Sequence, residues 1–361
     1  MAVAIRELHY CLAPEVLKDQ DLEQYLDSKQ LKTLTKMSGI HARRVAPVGV
    51  TALDLAFVAA KRLLDEGAFS AEQIDLLVFA TQTPDHQIPA TACELHGRLG
   101  LSQSCGAFDV NLGCSAFPYC LAIVSSMIEA GLARNAMLCN ADVISHVVNR
   151  KDRSLAPLHG DGAAICILTK SPENNVGLEG FLMGTDGENS SQITIPASGL
   201  RQPRTAESKI EEADDAGSLR NKEQLYMNGP AVFHFSIDKI PSAINDYLKQ
   251  EGLTVEDLDL VLLHQANKTM VDLIYRALDI PKEKRFYFME MVGNLAGAST
   301  PVLLAEAWRS GRIKPGYRIL LASFGNGLSW AVTSMVWSDE VTSLTDLSVE
   351  FDNTLIASNE V

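Results

Sequence analysis

The chain has 361 residues, of which 47% are hydrophobic and 21% are charged, and its formal net charge is −14. This composition is typical of a globular chain long enough for two domains or one large one. The negative charge disfavours nucleic-acid binding, which needs clustered Lys and Arg. No apolar run approaches the roughly 18 residues of a membrane span, and the N-terminus lacks a basic segment followed by an apolar core. We therefore expect a cytoplasmic protein with no membrane insertion.

The cysteines argue against two common structural devices. They are odd in number, scattered along the chain, and never spaced as Cys-x-x-Cys, so neither a disulfide framework nor a metal site is expected. Most of them are predicted to be core residues. The seven positions are Cys11, Cys93, Cys105, Cys114, Cys120, Cys139 and Cys166.

Strand-like and helical segments alternate along the chain. Short apolar runs predict strands at 76–80, 107–110, 163–168, 260–263 and 319–322. Helical periodicity predicts helices at 52–64, 119–130, 232–250 and 301–309. This alternation is typical of α/β layers.

A repeat is visible within this pattern. Residues 63–79 read as a helix end, a glycine, a capped restart and a strand, and residues 248–263 repeat that order roughly 180 positions later. Such a unit is common in α/β proteins, so chance similarity is the alternative to duplication. Under duplication, the helix after Cys114 corresponds to the helix after Asn294, and both helix starts face one pseudo-twofold axis.

Cys114 lies at a predicted strand-to-helix turn, in Asn-Leu-Gly-Cys-Ser-Ala-Phe. Unpaired backbone N–H groups and the positive end of the helix dipole favour a thiolate there. The same groups can hold the oxyanion that forms when the thiolate attacks a carbonyl. Cys114 is therefore a candidate nucleophile, and a buried cysteine acting as a small apolar side chain is the alternative.

The second half of the chain supplies partners for such a nucleophile. His264 ends the apolar strand 260–263, where α/β folds place their chemistry. Asn294 lies in a loop of small residues that enters a helix. Taken alone, His264 reads as a core or surface histidine and Asn294 as a helix cap. The turn 324–330, Phe-Gly-Asn-Gly-Leu-Ser-Trp, lets backbone N–H groups approach a ligand.

At these residues the chain resembles the β-ketoacyl-acyl carrier protein synthase III family of the thiolase-like fold, over about residues 1 to 338. The matching segments are His264-Gln265-Ala266-Asn267, Gly293-Asn294, Gly160-Asp161-Gly162-Ala163, Gly184-Thr185-Asp186-Gly187, Ser38-Gly39-Ile40 with Arg43-Arg44, Met227-Asn228-Gly229, and the turns at Cys114 and at 324–330. The resemblance implies a five-layered α-β-α-β-α architecture of two duplicated halves, normally a homodimer. The halves would be 1–172, with the cysteine, and 173–338, with the histidine and asparagine.

The resemblance also implies a two-stage reaction. Cys114 would accept the acyl group of a thioester, and His264 and Asn294 would then bind the thioester carbonyl of a malonyl-type substrate as CO2 departs. The amides of Cys114 and Asn326 would form the oxyanion hole. Coenzyme A or phosphopantetheine thioesters would be the substrates, acyl carrier protein and acyl-coenzyme A the partners, and no cofactor would be needed.

Several positions depart from the family pattern around the coenzyme A site. Thr33 replaces a tryptophan that clamps the adenine, although Arg153, its usual partner, is retained; a surface salt bridge is the alternative for Arg153. Carrier proteins are acidic, yet the expected basic positions hold His234, Thr269 and Met37. Lys268 and Arg276 would compensate, unless they only belong to a solvated helix face. Because half of the adenine clamp is missing, the first acyl donor is expected to be a carrier-protein thioester rather than coenzyme A.

Two further positions bear on the acyl tunnel. Ile88 matches the position that reaches across the dimer into the partner's tunnel, with core packing as the alternative. Ala116 replaces a glycine two residues after the nucleophile and narrows the space beside it. These departures favour a specialised synthase of secondary-metabolite or unusual lipid synthesis.

Other functions stay open from the sequence. Related enzymes join two acyl chains without decarboxylation, using a glutamate base for which Glu94 is the nearest candidate, or they only transfer acyl groups. A non-catalytic subunit that binds carrier protein is an alternative of another class. A cysteine hydrolase shares the Cys–His–Asn order but lacks its local signatures here. Residues 201–224 are expected to form a surface loop near the tunnel or a solvated connection, and 339–361 a flexible acidic tail that docks on its own dimer.

Overall fold

The computed structural model describes residues 2–173, 175–341, 348–352 and 354. The elements of the first part of the chain are β1 (Val3–Leu12), β2 (Glu15–Lys18), α1 (Asp19–Leu22), α2 (Ser28–Ser38), β3 (Ala42–Val45), α3 (Ala52–Glu66), β4 (Leu76–Ala80), α4 (Thr91–Leu99), β5 (Gly106–Val110), α5 (Ala116–Glu129), β6 (Asn135–Asp142) and β7 (Gly162–Lys170). Those that follow are β8 (Gly177–Thr185), β9 (Ile193–Thr194), β10 (Glu212–Ala213), β11 (Leu219–Arg220), β12 (Tyr226–Met227), α6 (Gly229–Glu251), β13 (Leu260–Leu263), α7 (Lys268–Ala277), α8 (Ser299–Arg309), β14 (Arg318–Gly325), β15 (Ser329–Val336) and β16 (Ser348–Val349).

Two sheets form the framework of the molecule. The first has the strand order β16-β1-β7-β6-β4-β5, and the second has the order β13-β14-β15-β8. Both faces of the first sheet are covered, so β4 is apolar throughout instead of alternating. Its Leu76 and Val78 belong to the core between the sheets, whereas Leu77 and Phe79 belong to the core beneath α3 and α4.

The helices complete five layers. α5 and α8 pack between the two sheets, since α5 contacts β4, β6 and β7 of one sheet and β14 and β15 of the other. α3 and α4 cover the outer face of the first sheet, and α6 covers that of the second and packs against α7. The predicted α-β-α-β-α thiolase-like architecture is confirmed. The change from the first sheet to the second falls between Lys170 and Gly177.

The repeat seen in the sequence corresponds to a repeated structure. A 3-10 turn precedes both β4 and β13, and a capping box starts each turn. Asp75 and Asp259 then occupy equivalent places. Each accepts a hydrogen bond on its side chain from the backbone of the neighbouring strand, Asp75 from Asn135 at 3.2 Å and Asp259 from Arg318 at 2.8 Å. These paired contacts make chance similarity an inadequate explanation.

Three predicted helices begin earlier than expected, for one physical reason. α5, α6 and α8 begin at Ala116, Gly229 and Ser299, each two or three residues before the predicted start. A proline lies in the first turn of each, at Pro118, Pro230 and Pro301. Proline fits there because the first N–H groups of a helix have no partner within the helix.

The expected flexible tail at 339–361 is partly wrong. Ser348–Val349 forms β16, which pairs in parallel with Tyr10 and Cys11 at the edge of β1. Phe351 then packs against the core beneath α3. This segment therefore extends the first sheet of its own subunit, while 342–347, 353 and 355–361 lie outside the described residues.

No helix in the described ranges is long and apolar enough to cross a membrane.

Candidate active site

A cavity of about 1090 Å³ opens between the two halves of the molecule. Cys114, His264 and Asn294, which lie far apart in the sequence, all line it together with Asn326. The starts of the two central helices also meet here, because a Cβ on Gly297 would lie only 3.2 Å from the carbonyl oxygen of Gly113. The expected convergence at the pseudo-twofold axis is therefore present.

Cys114 is held by contacts from the second half of the chain. A Cβ on Gly325 would lie 2.5 Å from the Cβ of Cys114, so only glycine allows β14 to approach this closely. Ser115 and Ser329 share a 2.7 Å hydrogen bond between their hydroxyls, and Ser329 also donates to the Asn326 carbonyl at 2.7 Å. These bonds fix the Asn326 turn beside the nucleophile.

Burial and the nearby amides have opposite effects on the ionisation of the Cys114 thiol. Burial raises its pKa to about 12, and the nearby charge of Asp142 acts in the same direction. The backbone amides of Cys114 and Asn326 oppose these effects and lower the pKa. Burial therefore opposes the thiolate that the helix start is expected to favour, whereas both expected amides act in its favour.

His264 is a buried neutral base at the end of β13. Burial, together with the neighbouring His159, lowers its pKa to about 3, so the ring is uncharged at neutral pH. Its edge packs against the ring of Phe324, with 5.7 Å between centroids. Nδ1 is buried and has no hydrogen-bond partner among the described residues.

The side chain of Asn294 has a fixed orientation. Its Oδ1 accepts from the Ala296 N–H at 3.0 Å and from the Ser299 hydroxyl at 3.3 Å. Ala296 itself has a φ of 47°, which is strained for a residue with a Cβ. Because both bonds use the oxygen, the Nδ2 donors remain available to the cavity.

Two residues at the site were not identified from the sequence. Asp142, at the end of β6, is fully buried and accepts from the Gln82 and Gly297 amides at 2.8 and 3.1 Å, while burial raises its pKa to about 6. His159 lines the cavity and is 9% exposed. The signal for both was weak, since each is a single polar residue beside an apolar strand segment.

The other side chains predicted to belong to the site are not among the residues that line the cavity. Ala116 is buried in the first turn of α5, and Ile88 is 89% exposed beside the lining residue Gln87. Arg153 donates to the Ala216 carbonyl at 3.2 Å and does not line the cavity. Lys268 and Arg276 are exposed at the two ends of α7.

The polar segment 201–224 divides between the two expected roles. Its beginning, Pro203 and Arg204, lines the cavity. The remainder lies outside the cavity and includes the small hairpin of β10 and β11. There Arg220 forms ion pairs with Asp152 and Asp214.

Within the described part of the chain, no group of three or more His, Cys, Asp or Glu side chains could hold a metal ion. The five-layered duplicated fold, with a cysteine, a histidine and an asparagine in one cavity, defines a thiolase-like enzyme of acyl transfer.

Comparison with known proteins specifies this class further. Residues 108–187 and 248–337 match the family descriptions "3-Oxoacyl-[acyl-carrier-protein (ACP)] synthase III" and its C-terminal part. The β-ketoacyl-[acyl-carrier-protein] synthase III of Caldanaerobacter subterraneus subsp. tengcongensis is 35% identical over 91% of this chain and 95% of its own length. The chain belongs to the β-ketoacyl-acyl carrier protein synthase III family of condensing enzymes.

Solved structures agree with this assignment. The crystal structure of a 3-oxoacyl-(acyl-carrier-protein) synthase III has a TM-score of 0.91 at 35% identity and covers 93% of this chain and 100% of that one. The priming β-ketosynthase of the R1128 polyketide pathway has a TM-score of 0.81 at 25% identity, covering 94% and 97% of the two chains.

Proposed function

We propose that this enzyme condenses an acyl group, carried on Cys114, with a malonyl-type thioester and releases CO2. The observation that carries the proposal is the convergence of Cys114, His264 and Asn294 on one buried cavity. The amides of Cys114 and Asn326 at the sulfur supply the further element that acyl transfer requires, a pair of donors for an oxyanion.

The first step transfers the acyl group to the enzyme. The sulfur of Cys114 bonds to the thioester carbonyl carbon while its proton passes to the neutral imidazole of His264. The two amides hold the oxyanion, and the leaving thiol takes up a proton as its C–S bond breaks. Burial raises the pKa of the thiol, so we expect proton transfer to accompany attack.

The second step forms the carbon–carbon bond. His264 and Asn294 donate to the thioester oxygen of the malonyl unit, and the electron pair of the breaking bond to CO2 moves toward that oxygen. The resulting enolate carbon attacks the carbonyl carbon of the acyl-cysteine, the C–S bond breaks, and the Cys114 sulfur takes up a proton from water. The lowered pKa suits His264 to this role, because the neutral ring donates an N–H hydrogen bond to the thioester oxygen and carries no positive charge before the reaction. The thioester itself activates the α-carbon, so these steps call for no cofactor.

Decarboxylation is favoured over proton abstraction by the position of the candidate base. Glu94 lies on α4 with its carboxylate 3.9 Å from the His86 ring, and it does not line the cavity. Because this glutamate lies outside the cavity lining, loss of CO2 is the direct route to the enolate. Simple acyl transfer has no observation of its own to support it.

The acyl donor is proposed to be a carrier-protein thioester, within a specialised pathway. At the expected clamp, Thr33 is exposed and offers no aromatic ring for an adenine. The same helix exposes Lys29, Lys32 and Lys36, and Lys268 of α7 packs against the adjacent Gly39. This local basic patch suits an acidic carrier protein despite the negative net charge.

A homodimer is proposed from the edge of the first sheet. β5 is the last strand on its side among the described residues and is only half-buried, so its outer backbone groups are free to pair with a second copy. Ile88 projects from the same region with 89% exposure. We propose that this dimer is cytoplasmic.

A panel of acyl thioesters, followed by intact mass measurement, tests the first step. We expect wild-type protein to gain one acyl mass and Cys114→Ala to gain none, while Cys93→Ala, which changes an exposed cysteine, loads normally. Release of labelled CO2 from a malonyl thioester then tests the second step. A wild-type enzyme that never loads would instead support a non-catalytic subunit.

A further inference from the structure

The backbone holds His159 directly beside Asn294. The Asn294 N–H donates to the Leu158 carbonyl at 2.8 Å, and the Gly160 N–H donates to the Asn294 carbonyl at 3.0 Å. These two bonds form a parallel bridge between His159 and Asn294. Residues bridged in this way lie about 5 Å apart and direct their side chains to the same face.

Neither ring nitrogen of His159 makes a hydrogen bond of normal geometry within the described residues, and both are buried. The Asn294 carbonyl lies close enough to one of them to raise its pKa, which leaves the other nitrogen for a ligand. Buried polar groups in folded proteins are nearly always hydrogen-bonded, so a group that enters the cavity is the natural partner. Since the ring lines the same cavity as Cys114 and His264, that group belongs to a substrate.

The hydrogen-bond donors already assigned to the malonyl unit indicate which of its atoms the His159 ring reaches. The inference rests on the proposed function, in which His264 and Asn294 satisfy the two lone pairs of the malonyl thioester oxygen. The remaining polar group of a malonyl unit is its carboxylate, which is one methylene away from that carbonyl. We propose that His159 is a specificity-determining residue whose ring N–H binds this carboxylate before CO2 is lost.

A neutral imidazole suits this step better than a cation. Burial lowers the pKa of His159 to about 4, partly offset by the Asn294 carbonyl and by Asp152. A fixed positive charge would hold the negative charge on the carboxylate and oppose its loss. A single neutral donor orients the carboxylate and weakens as the electron pair moves toward the oxygen held by His264 and Asn294.

Binding to an unreactive background isolates the contribution of His159. In Cys114→Ala protein, we would titrate pantetheine thioesters of sulfoacetate, an anion that cannot lose CO2, and of acetate, which lacks the anionic group. We expect His159→Phe to weaken sulfoacetyl binding at least tenfold, as for a lost hydrogen bond to a charged group, and to leave acetyl binding unchanged.

The matched control is His96→Phe, which makes the same exchange on α4, outside the cavity. Its binding of both ligands should equal that of the parent protein. A His159→Phe variant that melts at a lower temperature but keeps the preference for sulfoacetyl would overturn the proposal, because His159 would then be purely structural.

Turnover separates this inference from the proposed function. In otherwise wild-type enzyme, His159→Phe should load acyl groups at the normal rate but show a raised KM for the malonyl substrate in CO2 release. If wild-type enzyme loads but releases no CO2, the proposed function fails, and the binding comparison alone decides whether His159 recognises an anion.

Discussion

Gly325, in the second half of the chain, packs directly against the nucleophile Cys114 and limits where its side chain can lie. Its missing side chain lets β14 lie against Cys114, and a methyl group there would approach the sulfur to 3.0 Å. The nearest atom is the Cβ of Cys114 at 2.5 Å, so a side chain at position 325 could be accommodated only by moving the cysteine or the Asn326 turn. The lack of a side chain at Gly325 therefore determines whether the Cys114 sulfur stays beside the amides of Cys114 and Asn326.

We expect Gly325→Ala to slow acyl loading by about 100-fold, because displacing a reacting group by about 1 Å has that effect. The rate of mass gain on Cys114 measures it. Gly97→Ala is the control: this glycine lies within α4 and nothing lies within 4 Å of the added methyl group, so loading should not change. Normal loading by Gly325→Ala would show that the turn adapts.

The sequence allowed some site residues to be found and not others. Cys114, His264 and Asn294 each belong to an extended local pattern, a turn or a motif after a strand, that can be read without knowing the fold. His159 becomes significant only because the chain returns at Asn294 to form a backbone bridge beside it. Long-range pairing of this kind leaves no periodic signal along the chain.

At the scale of elements, α8 and β1 join the two halves through a buried polar contact. Glu306 of α8 is 2% exposed and accepts from the Tyr10 hydroxyl of β1 at 2.5 Å. Arg309, one turn further along α8, donates to both oxygens of the same carboxylate at 2.6 and 2.7 Å. A carboxylate so deeply buried depends on these donors.

Removing the hydroxyl should therefore weaken the join between the halves. We expect Tyr10→Phe to reduce the free energy of unfolding by about 1–3 kcal/mol, since the Glu306 carboxylate loses a donor and cannot regain water. Urea denaturation at a fixed protein concentration measures the loss. Tyr25→Phe, at a 42% exposed position, should change stability by no more than about 0.5 kcal/mol. Equal effects from the two variants would contradict this role for Glu306.

The elements themselves were predictable to different degrees. Apolar strands such as β4 and β13 were predicted at their observed positions because they are buried on both faces. β1 was missed, since its sequence includes Arg6, Glu7 and His9; the latter two are nevertheless 1% exposed. The short β16 carries no pattern of its own and exists because the edge of β1 offers it backbone partners.

At the scale of the whole molecule, the buried titratable groups of the site connect function to stability. Both His264 and His159 have folded-state pKa values below the ordinary value of 6.5, at about 3 and about 4. Their contribution to stability is fully present above pH 6.5 and is lost as the pH falls, because the unfolded chain then binds protons that the folded one excludes. Asp142, whose pKa is raised to about 6, acts in the opposite direction and stabilises the protein as the pH falls through 6.

The two histidines should dominate on mild acidification. Between pH 6.5 and pH 5 the two histidines together contribute a loss of about 3 kcal/mol, whereas protonation of Asp142 returns about 1 kcal/mol, so we expect a net loss of roughly 2 kcal/mol. Urea denaturation at pH 7.5, 6.5 and 5 measures it. Replacing His264 or His159 with Phe should each remove about half of the combined contribution of the two histidines, since a phenyl ring fills the same space without titrating. If His264→Phe loses as much free energy of unfolding between pH 6.5 and pH 5 as the wild type does, the acid sensitivity arises elsewhere in the molecule. The imidazole of His264 can then be protonated in the folded state.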